Sequence, residues 1–349
     1  MKVLVVGLGG IGQRHVRNLR TLLGDSVQIH AVRARGLGHV LTDTLKIEAG
    51  ADLESRYGII REPDLETALA RKPHAVFVTN PSSLHISVAL AAAEAGCHLF
   101  IEKPLSHNSD DVGRLIKIVE RQRLVALVGY QLRFHPCWLK AKELLDAQSI
   151  GSLLAAHFQV GEYLPGWHTY EDYRDGYASR GDLGGGVILS QIHELDLAYW
   201  LFGMPRRAYA LGGHWSSLEI DVEDTASILL QCTHQERPLP VHIHQDYLQR
   251  PPARRAEIIG EKGKIMVDLT IPEIRMCNAD GHTEVHAIPD FRRNDLFLDE
   301  LRHFLACLDG SEKPVVNLRD GVSSLEIALA AKRSIENANV VRIGCEVLL

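Results

Sequence analysis

The chain opens on V-L-V-V-G-L-G-G-I-G over residues 3–12. An apolar run passes straight into a turn with glycines at 7, 9 and 12, and few architectures accept that pattern. The spacing G-x-G-x-x-G between a strand and a helix is the dinucleotide-binding fingerprint. Gly7 permits the tight turn, Gly9 lets the backbone approach a pyrophosphate, and Gly12 lets the next helix pack on the strand. Leu8, Gly10 and Ile11 complete the loop. The next residues, including His15, Val16, Asn18, Leu19, Leu22 and Leu23, read as a helix whose first amides would hold phosphates. A second apolar run, 27–32, follows about 20 residues on. The competing reading is a glycine turn in a doubly wound sheet that binds nothing.

Strand and helix alternate from the start to about residue 129. Residues 57–61 follow the second strand, then a helix over 64–71 and an apolar strand over 74–79 that Asn80-Pro81 breaks. A helix over 83–95 ends at Gly96, a strand over 98–101 runs into Glu102-Lys103-Pro104, and a helix over 109–121 precedes a strand over 125–128. This alternation predicts a Rossmann-type doubly wound parallel sheet in a domain spanning 1–125. Residues 126–349 read differently. A helix over 135–147, a strand over 153–162 and a polar aromatic loop over 163–182 lead to Gly184-Gly185-Gly186 and a helix over 187–202. Closely spaced strands at 207–212, 226–232, 241–247, 255–259 and 264–267 predict a mostly antiparallel sheet. Helices over 295–308 and 321–338 close this second α/β domain.

A length of 349 residues suits two domains, and 46% apolar with 23% charged residues is ordinary for a globular protein. A net charge of -6 gives no electrostatic case for nucleic acid or an anionic membrane as partner. The six cysteines form no CxxC pair and read as thiols in a reducing compartment. Met-Lys followed by a strand does not read as a signal peptide, and no apolar run reaches the roughly 20 residues that span a bilayer. A cytoplasmic location is expected.

Lys103 follows the carboxyl end of a parallel strand, where such sheets bind their ligands. A cation there would stabilise a substrate oxygen. The plainer alternative is a surface lysine at a loop start. His193 follows the triple glycine, which would let backbone approach a ligand. An imidazole there would take or give a hydroxyl proton, or merely pack half-buried on a sheet. His242 and His244 lie on one strand face with Asp246, which reads better as a polar face or subunit contact than as a metal site.

Together these pieces resemble the Gfo/Idh/MocA family of oxidoreductases. The resemblance rests on residues 7–12, Asn80-Pro81-x-x-x-His85, Glu102-Lys103-Pro104, Gly129-Tyr130-Gln131-x-Arg133-Phe134 and the stretch 184–196, and it covers nearly the whole chain. It implies a Rossmann domain followed by an α/β domain with an open antiparallel sheet. It also implies NAD(P)-dependent hydride transfer on a carbinol carbon of a sugar, sugar derivative or polyol, without a metal. Carried over by position, Gly7, Leu8, Gly9, Gly10, Ile11 and Gly12 would line the pyrophosphate. Asn80, Pro81, His85 and Glu102 would line the ribose and nicotinamide side, Lys103 would touch both nicotinamide ribose and substrate, and His193 would be the acid/base residue. Pairing through the open sheet would give a homodimer or homotetramer. Related branches leave alternatives: reduction of a non-sugar substrate, an NAD-dependent glycosidase, or a ligand sensor without catalysis.

One departure stands out. Many members carry an aspartate four residues before the histidine, where this chain has Leu189, with Ser190 three before. Glu194, Asp196 or a loop residue would have to substitute, or the proton relay differs. Arg33 and Arg35 stand where NAD-specific enzymes often have an acidic residue, which favours NADP over NAD, with Arg14 adding charge. Trp167, His168, Tyr173 and Arg174 in the aromatic loop, with Tyr130 and Ser190, are the candidate substrate contacts.

Overall fold

The computed structural model describes residues 1–33 and 38–344. Arg35 lies outside the described residues. The first lobe runs β1 (Lys2–Val6), α1 (Gly10–Leu23), β2 (Gln28–Val32), β3 (His39–Leu41), β4 (Ile47–Asp52), α2 (Leu53–Tyr57), β5 (Ile59–Arg61), α3 (Leu65–Ala70), β6 (Ala75–Val78), α4 (His85–Glu94), β7 (His98–Glu102), α5 (Val112–Gln122) and β8 (Ala126–Gly129). Six strands form a wholly parallel sheet in the order β5-β2-β1-β6-β7-β8. Its central strands are buried on both faces, which is why they read as continuous apolar runs. The strand order reverses between β1 and β6, so the ligand crevice opens beside the end of β1. The sequence reading did not foresee the small β3–β4 hairpin.

The second lobe runs α6 (Pro136–Asp146), β9 (Leu153–Gly161), α7 (Val187–Ser190), α8 (His193–Phe202), β10 (Arg207–Gly213), β11 (Thr225–His234), β12 (Arg237–Asp246), β13 (Ala253–Gly260), β14 (Gly263–Asp268), β15 (Glu273–Asn278), β16 (Thr283–Ala287), α9 (Arg293–Leu308), α10 (Leu318–Asn337) and β17 (Val341–Arg342). Its nine strands form one sheet, β16-β15-β14-β13-β9-β12-β11-β10-β17, antiparallel except between β9 and β12. Helices α6, α7, α8 and α10 pack on this sheet. Tyr209 and Leu229, opposite one another on β10 and β11, and nearby Leu211 are exposed. Among the described residues, no helix is long and apolar enough to cross a membrane.

Three details correct the sequence reading. Strand β8 lies beyond the expected boundary at 125 and still belongs to the parallel sheet. Helix α9, from far along the chain, also returns to that sheet. Its Leu301 and Phe304 are buried with Val3, Val5, Phe77 and Phe100, and Phe304 stands edge-on to both phenylalanines. The helix expected over 187–202 is two helices, because Gln191 leaves helical backbone at φ -103°, ψ 32°.

The lobes are knotted by the turn after β8. Arg133 donates from Nε and Nη2 to both carboxylate oxygens of Asp196 on α8, at 2.9 and 2.7 Å. Ser324 on α10 donates to the same carboxylate at 2.8 Å. The two charged side chains are 4% and 1% exposed. Such a buried pair is a poor source of net stability, yet stranding one partner is costly. Arg133→Met is therefore expected to lower unfolding stability by roughly 3–5 kcal/mol in urea titration. Adding Asp196→Leu should restore most of the loss; a double variant no better than the single would show that the stranded charge is not the cause.

Candidate active site

The glycine loop has the shape its spacing demands. Gly7 has φ 101°, and a Cβ there would lie 2.8 Å from the Thr79 carbonyl and the Asn80 amide. A Cβ on Gly12 would lie 2.0 Å from the Gly7 carbonyl, so α1 seats against the loop only with glycine. Gly9 differs: a Cβ there would meet nothing within 4 Å. It caps α1 with no side-chain hydrogen bond, and the first turn of the helix holds no acidic residue. Unpaired amides, the positive end of the helix dipole and open space in front of Gly9 fit a pyrophosphate. Tyr170, from the second lobe, sits over this loop; a Cβ on Gly10 would lie 3.0 Å from its hydroxyl.

At the far end of the crevice, the ring nitrogens of His85 lie 2.7 and 2.9 Å from the carbonyls of Pro104 and Asn80. The imidazole thereby ties the Asn80-Pro81 turn to the segment after Lys103. Glu102 pairs with buried His15 on α1 at 2.7 Å. Behind them Glu300 is wholly buried, and burial, reinforced by the Glu102 charge, pushes its carboxyl well above the usual range.

Lys103 Nζ donates to the Ser190 carbonyl at 2.7 Å. That carbonyl is available because α7 stops there. His193 starts α8 immediately after the break and is 4% exposed. The Tyr130 ring stands edge-on to it at 5.8 Å between centroids. The Gln131 side-chain amide donates to its Nε2 at 3.2 Å. Burial first, then the charges of Lys103, Arg254 and Arg293, hold His193 well below its ordinary pKa. The ring is therefore a neutral proton acceptor at neutral pH.

The missing aspartate has no carboxylate substitute on α8. Glu194 is taken by Arg254, whose Nε and Nη2 donate to it at 2.7 and 3.0 Å. Asp196 is taken by Arg133. Leu189 is buried in the core. The polar neighbour that His193 receives is Gln131.

These groups share one cavity of about 740 Å³. Residues 7–11, Arg14 and Arg33 line it from the first lobe, as do Asn80, Pro81, His85, Glu102 and Lys103. From the second lobe come Trp167, His168, Ser190 and His193. Gly12 and Tyr130 stand behind this surface as supports. Tyr173 and Arg174 do not line the cavity: the Tyr173 hydroxyl accepts from the Glu219 amide at 3.1 Å, and Arg174 pairs with Asp172 and Glu219. The cavity residues that lacked an assignment from sequence include Tyr170, Glu162, Arg254 and Arg293. Gln131 sat within a quoted motif, but the arginines had no local pattern to mark them. Arg33 pairs with Glu54 of α2 at 2.6 Å and is largely buried.

Residues 1–130 match the family model described as "Oxidoreductase family, NAD-binding Rossmann fold", and residues 138–266 match the "GFO/IDH/MocA C-terminal domain". The scyllo-inositol 2-dehydrogenase (NAD(+)) of Bacillus subtilis is 26% identical, across 98% of this chain and 96% of that one. The myo-inositol 2-dehydrogenase of Thermotoga maritima is 26% identical across 98% of each chain. The WlbA dehydrogenase of Bordetella pertussis, solved with NADH and UDP-GlcNAcA, shares the fold with a TM-score of 0.80 at 21% identity, covering 99% of both chains. With the glycine loop, Lys103 and His193 gathered in one cleft and both domain models matched, the chain belongs to the GFO/IDH/MocA family of NAD-binding oxidoreductases.

Proposed function

We propose that this protein interconverts a carbinol and a carbonyl on a polyol or sugar, with His193 as the acid/base residue and Lys103 as the cation on the reacting oxygen. The observation that carries the reading is their meeting in the cavity that the glycine loop opens onto. The inositol dehydrogenases among its relatives support the substrate class. The nicotinamide supplies the hydride acceptor in oxidation and the donor in reduction. Lys103 spends one N–H on the Ser190 carbonyl, and its other two face the substrate oxygen and stabilise the charge that gathers there. His193 accepts the hydroxyl proton at Nε2 in oxidation, the substrate hydroxyl taking the place of the Gln131 amide there, and returns it in reduction. Gln131 and Tyr130 hold the ring in place, and burial keeps water from it.

The dinucleotide preference turns on Glu54. Arg33 is the residue that favours NADP on sequence grounds, yet its guanidinium already carries a carboxylate partner. A 2′-phosphate would meet that negative charge, whereas a ribose diol can donate to it. The pair supports NAD(H) as the working form. The exposed Tyr209, Leu211 and Leu229 support pairing of two copies through the open sheet face.

Three measurements check this reading. Lys103→Met should cut turnover about a hundredfold or more while the NADH dissociation constant stays within a few-fold; normal turnover would remove Lys103 from the chemistry. The depressed pKa of His193 keeps its base form in place below the ordinary histidine value of about 6.5. Oxidation therefore fails only as pH falls through that lowered pKa, and the acid limb of kcat/KM should lie below about 6.5. An acid limb at or above that value would contradict the assignment. Glu54→Gln should tighten NADP binding about fivefold to tenfold relative to NAD, since a like charge near 4 Å costs about 1 kcal/mol or more. An unchanged ratio would detach Glu54 from cofactor choice.

A further inference from the structure

At the end of the cavity around His193 three cations converge: Lys103, Arg254 and Arg293. Arg254 lines it with a guanidinium held in plane by Glu194, and its Nη1 has no hydrogen bond among the described residues. Arg293, the first residue of α9, lines it with no hydrogen bond or ion pair among the described residues. Lys103 is bonded to a carbonyl, which is uncharged. Of the carboxylates lining the cavity, Glu102 bonds to His15 and Glu171 to His168. Glu162 is the carboxylate whose charge acts on Arg293.

The mutual proximity of these cations shows at four titratable groups. Lys103, Arg254 and Arg293 each lower His193. Arg254 adds to the burial that takes His135 down to about 4. Arg293 adds to the burial that takes Arg14 down to about 10, and Arg254 in turn lowers Arg293. Unpaired like charges in a concave, partly dry site attract anions. The pyrophosphate of a dinucleotide does not meet this need, because the fold places it at the start of α1.

We propose that the substrate is itself anionic: a polyol or sugar bearing a carboxylate, which Arg293 and the free edge of Arg254 hold while the carbinol faces Lys103 and His193. The proposal rests on the oxidoreductase reading above and narrows its substrate class. A planar guanidinium fits a carboxylate in two-bond fashion, which selects for geometry as well as charge. A carboxylate placed there also offsets the field that two arginines impose on His193. The substrate thus brings the negative charge that an aspartate on α7 would otherwise supply.

The test is calorimetric titration of the NADH-loaded protein with matched pairs: glucuronate against glucose, galacturonate against galactose, and gluconate against glucitol. In at least one pair, the acid is expected to bind at least tenfold tighter than its neutral counterpart. Arg293→Met should collapse that preference to within about twofold and leave the NADH dissociation constant unchanged. Arg292→Met, at an exposed neighbour paired with Asp295, should preserve it. No preference for the acid in any pair overturns the proposal. So does a preference that survives Arg293→Met, or an Arg293→Met variant whose defect is in NADH binding. Failure of the wild-type protein to bind NADH at all would overturn the oxidoreductase reading itself.

Discussion

The geometry of the site depends on the buried pair between Arg133 and Asp196. Arg133 leaves the first lobe in the turn after β8, and Asp196 lies three residues beyond His193 on α8. Fork-to-carboxylate bonding fixes both the distance and the rotation of α8 against that turn. Tyr130 and Gln131, in the same turn, then fall against the imidazole as packing partner and hydrogen-bond donor. Position along the helix does the rest: with Asp196 turned to Arg133, His193 faces the crevice and Glu194 faces Arg254. The placement of His193 and the docking of the lobes are thus one arrangement.

The same logic accounts for the break between α7 and α8. A continuous helix over 187–202 would use the Ser190 carbonyl internally. The break frees that carbonyl, and the Lys103 ammonium takes it. The ammonium is then anchored without being neutralised, so its charge is spent on the cavity. Beside it, a histidine with no carboxylate of its own stays neutral and basic. An aspartate at that place would raise the histidine pKa and favour the imidazolium. Gln131 orients the ring without that electrostatic effect, and the proton affinity of the ring is left to whatever occupies the cavity.

Much of this was legible in the chain because the deciding contacts are local. The fingerprint at 7–12 predicts a strand, turn and helix, and the structure gives each glycine a reason, with Gly12 pressed on Gly7 and Gly9 facing space. Lys103 after β7 and His193 after the triple glycine were likewise marked by position, and both line the cavity. What escaped the sequence depends on distant parts of the chain. Arg254 and Arg293 reach the cavity from β13 and the start of α9, and no periodicity marks them as neighbours of His193. Glu54 meets Arg33 because α2 packs beside β5, the strand that pairs with β2. The break at Gln191 lies in an apolar stretch of helical spacing, and a tertiary contact, the Lys103 bond, overrides the local pattern. Tyr173 and Arg174 misled for the opposite reason: composition marked their loop, but Glu219 draws both away.

Helix α9 shows how late sequence completes an early fold. Leu301 and Phe304 finish the core under β1 and β6, so the Rossmann sheet is capped by residues some two hundred positions beyond it. The helix start then carries Arg293 into the cleft, and its neighbour Asn294 accepts a hydrogen bond from Arg14 of α1 at 2.9 Å. A helix fastened to the first lobe therefore delivers a cation to the His193 end of the cavity. Because α9 is packed on the sheet that presents the glycine loop, Arg293 and that loop are positioned by the same core. His193 and Arg254 line the same cavity from the second lobe. Preorganisation of this kind places the charges before the ligand arrives, and the repulsion among them is offset only when the cavity is filled.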